Sequence, residues 1–430
     1  MKLKFDSVLR VPFYAHASEE DWNSWQWQLR ESLKTQEDFS QVFTLTEEEK
    51  SGFQAAKELF NIRATPYYAS LCNFSSQASL RKILMPSNLE LHAGAQAQLD
   101  PLGERKNNPA PRLVHRYPDR ALFLVTDICS VYCRYCTRKH FTGHAQAFIK
   151  ESEYEQALSY LRSHQGIREV ILSGGDPLTL SDTQLLRVLK DLRSIEHIEI
   201  IRIGTRMPVV CPMRITSELV EAMKPYGPIY VMTHFNHPRE LTAEAKSTLN
   251  LMANAGMPLF NQMVLLRGVN NHPAIVQALS RRLLYLRVKP YYMFQCDPSE
   301  GTDHLRTSLE ESEEIQRELW GKLSGLAMPH LSVDVPSGGG KISLVPNFEL
   351  ARSPSGRLYK GFDGVSEEYK NPLNFKAELP SDVAQYLPEW EELKSAKNKD
   401  RQAEGQVRYH GNISTTTNIA PNEHTLSQTF

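Results

Sequence analysis

The 430-residue chain is short of several things, and each shortage narrows what it can be. Lys plus Arg number 49 and Asp plus Glu 50, a net charge of -1. A balance that close to zero lacks the electrostatic footprint of a dedicated nucleic-acid binder. No apolar run approaches the length of a membrane-spanning helix. The N-terminus, MKLKFDSVLRVPFY, lacks the apolar core and cleavage site of a secretory signal, so a cytoplasmic protein is expected. Six cysteines are too few for a disulfide framework, and a reducing compartment would keep them as thiols. Disorder throughout is excluded by 41% hydrophobic and 9% aromatic residues.

The N-terminal residues read as helical. EEDWNSWQWQLRESL (19–33) and TEEEKSGFQAAKELF (46–60) carry apolar residues at helical spacing. The proline-bearing stretch 86–112 reads as an irregular connector. From residue 121 six short apolar runs follow: ALFLVTD, EVILS, IEIIRIG, IYVMTHF, FNQMVLL and VKPYYMF. Amphipathic stretches separate them. SDTQLLRVLKDL places Leu185, Leu189 and Leu192 on one face behind a Ser181–Gln184 capping box. Thr216 and Thr242 are candidate caps of two more helices. Strands alternating with helices predict an α/β fold with a parallel sheet, here a partial, open (β/α)6 barrel. Its chemistry is expected at the C-terminal ends of the strands. The expected organisation is a helical N-terminal region (1–110), the βα core (111–330), a C-terminal segment (331–395) and a polar, mobile tail (396–430). Past about residue 345 regular structure is expected to fade.

Three of the six cysteines fall within eight residues, in TDICSVYCRYCTRKHF (126–141), directly after the first predicted strand. Cys129, Cys133 and Cys136 have the spacing C-x3-C-x2-C. That spacing wraps three thiolates around one centre and leaves two readings open. Three ligands suit a four-iron cluster with one open iron. A fourth ligand, His140, would instead close a structural zinc site, and a zinc-stabilised binding protein without catalysis is the rival of a different class. Gly174 and Gly175, in SGGDP after the second strand, would let backbone approach a ligand or make a tight turn. PSGGGK (336–341) is not a Walker phosphate loop, since Val335 and Ile342 stand where Gly and Ser or Thr are needed. Lys341 behind three glycines suits a Schiff-base lysine that must swing away.

The cysteine loop, with Tyr135 before its third cysteine, resembles that of radical S-adenosylmethionine enzymes. HRYPDR (115–120), CSVYCRYCTRK (129–139), SGGDPL (173–178), RIGTRMPVV (202–210), THFNHP (233–238), NQMVLLRGVN (261–270), PYYMFQCD (290–297) and VDVPSGGGK (333–341) narrow it further. In that order they resemble lysine 2,3-aminomutases, over residues 20 to 375 or so. The resemblance implies a radical-SAM barrel that moves an amino group between neighbouring carbons of a basic amino acid. It implies a [4Fe-4S] cluster on Cys129, Cys133 and Cys136, and S-adenosylmethionine against Tyr135, Gly174, Gly175 and Asp176, with Arg206, His234 and Gln262 as further contacts. It implies pyridoxal 5'-phosphate on Lys341, with Arg116 and Arg120 for its phosphate. Arg138 matches the position that pairs with the substrate carboxylate, and Asp297 and Asp334 those that hold its distal cation. Two such carboxylates repel, and one pKa rises unless a cation lies between them. Lysine fits, and so does arginine, as an arginine 2,3-aminomutase would require; the relatives that make (R)-β-lysine come third, being shorter and lacking the Asp334 arrangement. An external one-electron reductant such as flavodoxin or ferredoxin and a homo-oligomer are implied as partners; nucleic acid and membrane are not. Two departures stand out. The last cysteine is Cys296, so the C-terminal cysteines of some relatives are missing, and Phe294 stands where Tyr is common.

Overall fold

The computed structural model describes residues 3–391, apart from 60, 74–78, 92–96, 140–141, 143–146, 354–355, 362–363, 373–382, 386 and 389. His140 and the tail after 391 therefore lie outside the described residues. Residues Met1–Lys376 form one compact unit. Of the second, Ala377–Phe430, the one described element is a 3-10 turn at Val383–Gln385.

Among the described residues the N-terminal region carries six α-helices: α1 Glu19–Asn23, α2 Trp25–Arg30, α3 Gln36–Val42, α4 Glu47–Leu59, α5 Pro66–Asn73 and α6 Ser79–Leu84. The single helix expected over 19–33 is broken at Ser24. Its side chain accepts from the Trp27 backbone N–H and starts α2 while α1 ends on its own N–H. A residue that competes for backbone hydrogen bonds favours a cap over a helix interior.

The barrel follows. Strand β1 (Leu113–Tyr117) runs antiparallel to β2 (Arg120–Thr126). Then come α7 (Glu151–Ser163), β3 (Glu169–Gly174), α8 (Asp182–Arg193), β4 (Ile200–Thr205), α9 (Met207–Val210), α10 (Ser217–Met223) and β5 (Ile229–Thr233). After these come α11 (Ala243–Asn254), β6 (Leu259–Leu265), α12 (Pro273–Tyr285), β7 (Val288–Gln295), α13 (Leu309–Leu319), β8 (His330–Val335) and β9 (Gly340–Ser343). Strands β2 to β8 pair in order and in parallel, and β9 folds back antiparallel on β8. Six β–α units thus run from β2 to α13. Strand β8, with no apolar run long enough to announce it, adds a seventh parallel strand. The sheet is an open nine-stranded curve with β1 and β9 at its edges.

Local signals act as expected in α8. Ser181 and Gln184 form the capping box, and Leu185, Val188, Leu189 and Leu192 are buried. Each such side chain contributes about 1.5–3 kcal/mol by leaving water. Thr216 and Thr242 cap α10 and α11. The fading expected past residue 345 is overturned. Strands β10 (Glu349–Ser353), β11 (Gly356–Lys360) and β12 (Ser366–Lys370) form an antiparallel sheet of their own. Their faces are mostly exposed, so burial imposes little hydrophobic alternation to read.

Candidate active site

All sixteen residues singled out from the sequence line one cavity of about 490 Å3 inside the barrel. Cys129, Gly174, Arg206, His234, Asp297 and Asp334 sit at or just beyond C-terminal strand ends, as the βα rule requires. Arg116 and Arg120 flank the β1–β2 turn instead, and Gln262 lies within β6, where the register slips against β7. The cavity extends down the barrel interior, where Leu122, Ile171 and Arg202 also line it.

The cysteine loop leaves β2 and is braced by the N-terminal helices. The Tyr132 N–H donates to Arg63 O at 3.1 Å, the Arg134 N–H to Ile83 O at 3.2 Å, and Arg63 Nη1 to Cys129 O at 3.3 Å. Arg134 points away from the cavity, and its guanidinium is buried against Glu90 at 2.8 and 2.5 Å. Burial raises the Cys136 thiol to about 11, with Cys133 adding to the rise. Burial raises Cys129 too, with charge from Cys136 and Asp176 adding to it. Thiols in that state ionise when a cation joins them, as a metal does. Among the described residues, no three His, Cys, Asp or Glu side chains are gathered closely enough to hold an ion. The Cys133 sulfur instead accepts from Arg206 Nη1 at 2.9 Å. The donor set fits an iron–sulfur centre in chemistry, being three sulfurs on one short loop facing one cavity.

Gly174 and Gly175 make the tight turn. Gly174 has φ +126°, and side chains at the two positions would strike Thr126 O and Ile128 O. The close approach they permit is to the chain's own β2 end, which seats the cysteine loop against β3. Asp176 completes this seam. Its carboxylate accepts from Thr205 Oγ1 at 2.7 Å, the Leu178 N–H at 3.0 Å and the Arg206 N–H at 2.7 Å.

Arg206 ties the next strand end into the same wall. Its Nη2 donates to Tyr68 Oη at 2.8 Å and Glu240 Oε1 at 2.7 Å, and its buried Nε has no partner among the described residues. Tyr135 Oη accepts from Asn236 Nδ2 at 2.6 Å. Burial, then the Arg206 and Arg138 charges, push the His234 pKa down to about 4, so the ring is neutral at neutral pH.

The opposite wall is the β8–β9 hairpin. Asp334 and Lys341 are cross-strand partners, and Gly338 (φ +88°) and Gly340 (φ +90°) take left-handed conformations in the turn. Lys341, behind its three glycines, therefore stands on an edge strand. Its Nζ lies 2.9 Å from Asp334 Oδ2 and 5.2 Å from the Phe294 ring centre. Arg116 Nη2 reaches Asp334 Oδ1 at 3.1 Å, and the Lys341 N–H donates to Tyr117 Oη at 3.0 Å. Arg120 stacks on Tyr117, 3.8 Å from the ring centre. Asp297 faces the same group. Burial, then Asp334, raise its pKa to about 7, against the pull of Lys341, Arg306 and Arg116. The carboxylate pair thus behaves as like charges in one site should. Between the two walls, Arg138 is held by Glu104 at 2.8 and 2.5 Å and by Ser173 Oγ at 3.2 Å.

Comparison with known proteins gives the same reading. Residues 123–277 match the radical SAM superfamily and residues 316–417 the family described as lysine-2,3-aminomutase. L-lysine 2,3-aminomutase of Acetoanaerobium sticklandii is 43% identical over 87% of this chain and 91% of its own length. That of Clostridium subterminale is 42% identical over 87% and 90%. Glutamate 2,3-aminomutase of Clostridioides difficile is 39% identical over 81% and 83%. The chain belongs to the lysine 2,3-aminomutase family.

For a member of that family, the residues missed from the sequence are those that brace the predicted ones, Tyr117 and Glu104 in the cavity lining and Glu90, Tyr68 and Glu240 behind it. Tyr117 sits inside the HRYPDR motif between two arginines and touches both Lys341 and Arg120. Glu104, Glu90, Tyr68 and Glu240 lie in stretches that read as helix or connector. A carboxylate that meets its arginine 34 or 44 residues away in sequence leaves no local spacing to find. The signal available was the arginine itself, since a buried guanidinium needs a partner.

Proposed function

We propose that this member of the family interconverts L-lysine and β-lysine, in a site built from its own residues as follows. Cys129, Cys133 and Cys136 hold a [4Fe-4S] cluster. Tyr135, Gly174, Gly175, Asp176, Arg206, His234 and Gln262 form the wall that seats S-adenosylmethionine. Lys341 carries pyridoxal 5'-phosphate, with Arg116 and Arg120 as cations for its phosphate. Arg138 takes the substrate carboxylate, and Asp297 and Asp334 the distal ammonium. When bound, these groups supply a hydrogen-abstracting radical and a carrier for the migrating nitrogen. The chain orients the substrate between fixed charges and keeps water out of the barrel. Neutral His234 adds no further cation beside Arg206 and Arg138.

The observation that supports this reading most is the charge layout of one cavity. A paired guanidinium faces one way, and two acids, Asp297 and Asp334, face the other, Asp297 with its pKa raised by burial and by Asp334. The Lys341 ammonium against Asp334 marks where a substrate ammonium can sit. Two acids also suit a guanidinium, which keeps arginine as the second reading. An acidic side chain there would meet like charge. The helical region, the barrel and the lysine hairpin (1–110, 111–330 and 331–395) would divide the work as scaffold, radical site and amine carrier. A cytoplasmic setting with a flavodoxin- or ferredoxin-type reductant, in a homo-oligomer, completes the proposal. Anaerobic turnover of lysine, arginine, glutamate and ornithine, with product identification, tests it. Lysine should be converted fastest, and preferential conversion of glutamate would overturn the assignment.

A further inference from the structure

Glu104 belongs to no motif, yet it makes the closest contact in the middle of the cavity. It lies on a strap that crosses the site. At one end of the strap, the Gln98 N–H donates to Pro298 O at 2.9 Å and the Glu300 N–H to Gln98 O at 3.2 Å, beside Asp297. Further along, Leu102 O accepts from Arg116 Nη1 at 2.9 Å. Glu104 then meets Arg138. Asp100 fixes its backbone, accepting from the Glu104 N–H at 2.9 Å.

A guanidinium has five N–H groups in a rigid plane, arranged as two separate forks. Glu104 takes the side fork, through Arg138 Nε at 2.8 Å and Nη2 at 2.5 Å. Ser173 Oγ takes one hydrogen of Nη1 at 3.2 Å. One N–H on each terminal nitrogen remains, and no acceptor among the described residues takes either. A carboxylate needs two parallel N–H groups of that kind. Without Glu104 the guanidinium could turn about its stem.

We infer that Glu104 is a positioning residue. It locks the side fork of Arg138 so that the end fork faces the cavity, set to receive the α-carboxylate of an amino-acid substrate. This rests on the reading of Arg138 as the carboxylate site. Glu104 also repels a bound carboxylate across the guanidinium, so the sign of its effect is diagnostic.

The test uses the full chain reconstituted with iron, sulfide, S-adenosylmethionine and pyridoxal phosphate. L-Lysine and L-lysinamide, which lacks the carboxylate, are titrated by the absorbance of the bound pyridoxal group, and lysine turnover is measured in parallel. Glu104→Gln keeps the size and loses the fork. It should weaken lysine on the order of 10- to 100-fold, in KM and in the titration, with kcat changed far less. Lysinamide should bind as it does to the unchanged protein. Glu104→Ala should repeat the pattern, and iron and pyridoxal contents equal to those of the unchanged protein establish that each variant is folded. Lysine binding that is unchanged or tighter in Glu104→Gln overturns the positioning role. Arg138→Gln separates the two ideas. If it weakens lysine no more than lysinamide, the carboxylate assignment of Arg138 falls first. If it weakens lysine selectively and Glu104→Gln does not, only the role of Glu104 falls.

Discussion

The two walls of the cavity are built on opposite principles. The cysteine wall is set deep and cross-braced: Arg134 and Glu90 are 0% and 1% exposed, and Arg206, Glu240 and Tyr68 form a second buried knot behind Cys133. The lysine wall is an edge hairpin, its Lys341 side chain 31% exposed and held by Asp334 beside the Phe294 ring. The contrast matches the work proposed for each. Sulfur ligands of a cluster must stay where they are through an electron transfer. An amine that exchanges one bonding partner for another has to move, and an edge strand lets it do so without disturbing the sheet. Stability has been placed at one end and freedom at the other.

The comparison can be broken first at the cysteines. Cys133→Ser should remove most of the iron and all turnover, whereas Cys72→Ser, outside the loop, should keep its iron on analysis of anaerobically purified protein. Next comes the brace. Glu90→Ala leaves the Arg134 charge buried without its carboxylate. It should cost about 3–5 kcal/mol, seen as a large fall in the thermal midpoint and in retained iron. At the other wall, Asp334→Asn keeps shape and removes charge. Losing one partner of a buried charge pair costs about 2–5 kcal/mol, so kcat/KM for lysine should fall roughly 30- to several-thousand-fold. Arginine run beside it shows which basic side chain the acids prefer.

The smallest effect concerns pH. Asp297 in the ligand-free protein has its pKa raised to about 7, by burial and then by Asp334. A raised carboxyl means that the folded state holds a proton the unfolded chain has already lost. Its contribution to stability is full below the unfolded value, near 4, and disappears as pH rises through about 7. Asp297→Asn should therefore melt higher than the unchanged protein by an amount that grows between those limits, on the order of 1–3 kcal/mol at its plateau. A midpoint difference that is flat from pH 4 to 8 would mean that Asp297 is ionised throughout.

The same contrast governs how far the sequence could be read. The six β–α units, the caps at Ser181, Thr216 and Thr242, and the gathering of sixteen motif residues in one cavity were all legible, because each depends on local spacing or on an ordered motif. Strand β8, the β10–β12 sheet and the Ser24 break were not, being short or exposed enough that no period forms. The glycines after β3 were legible as glycines, though what they make room for is the backbone at Thr126 and Ile128. The bracing carboxylates Glu90, Glu104 and Glu240 were invisible, since only the fold brings them to their arginines.

Whether the two walls are separate devices is the central claim, and one paired measurement reaches it. Protein loaded with pyridoxal phosphate is reduced with borohydride, digested and mapped, and its iron is counted, for the unchanged chain, Cys133→Ser and Lys341→Ala. The unchanged chain should carry its pyridoxyl label on Lys341. Cys133→Ser should keep that label while losing iron, and Lys341→Ala should lose the label while keeping iron. A label on another lysine, such as Lys289 or Lys360, or loss of both properties in either variant, would contradict the account.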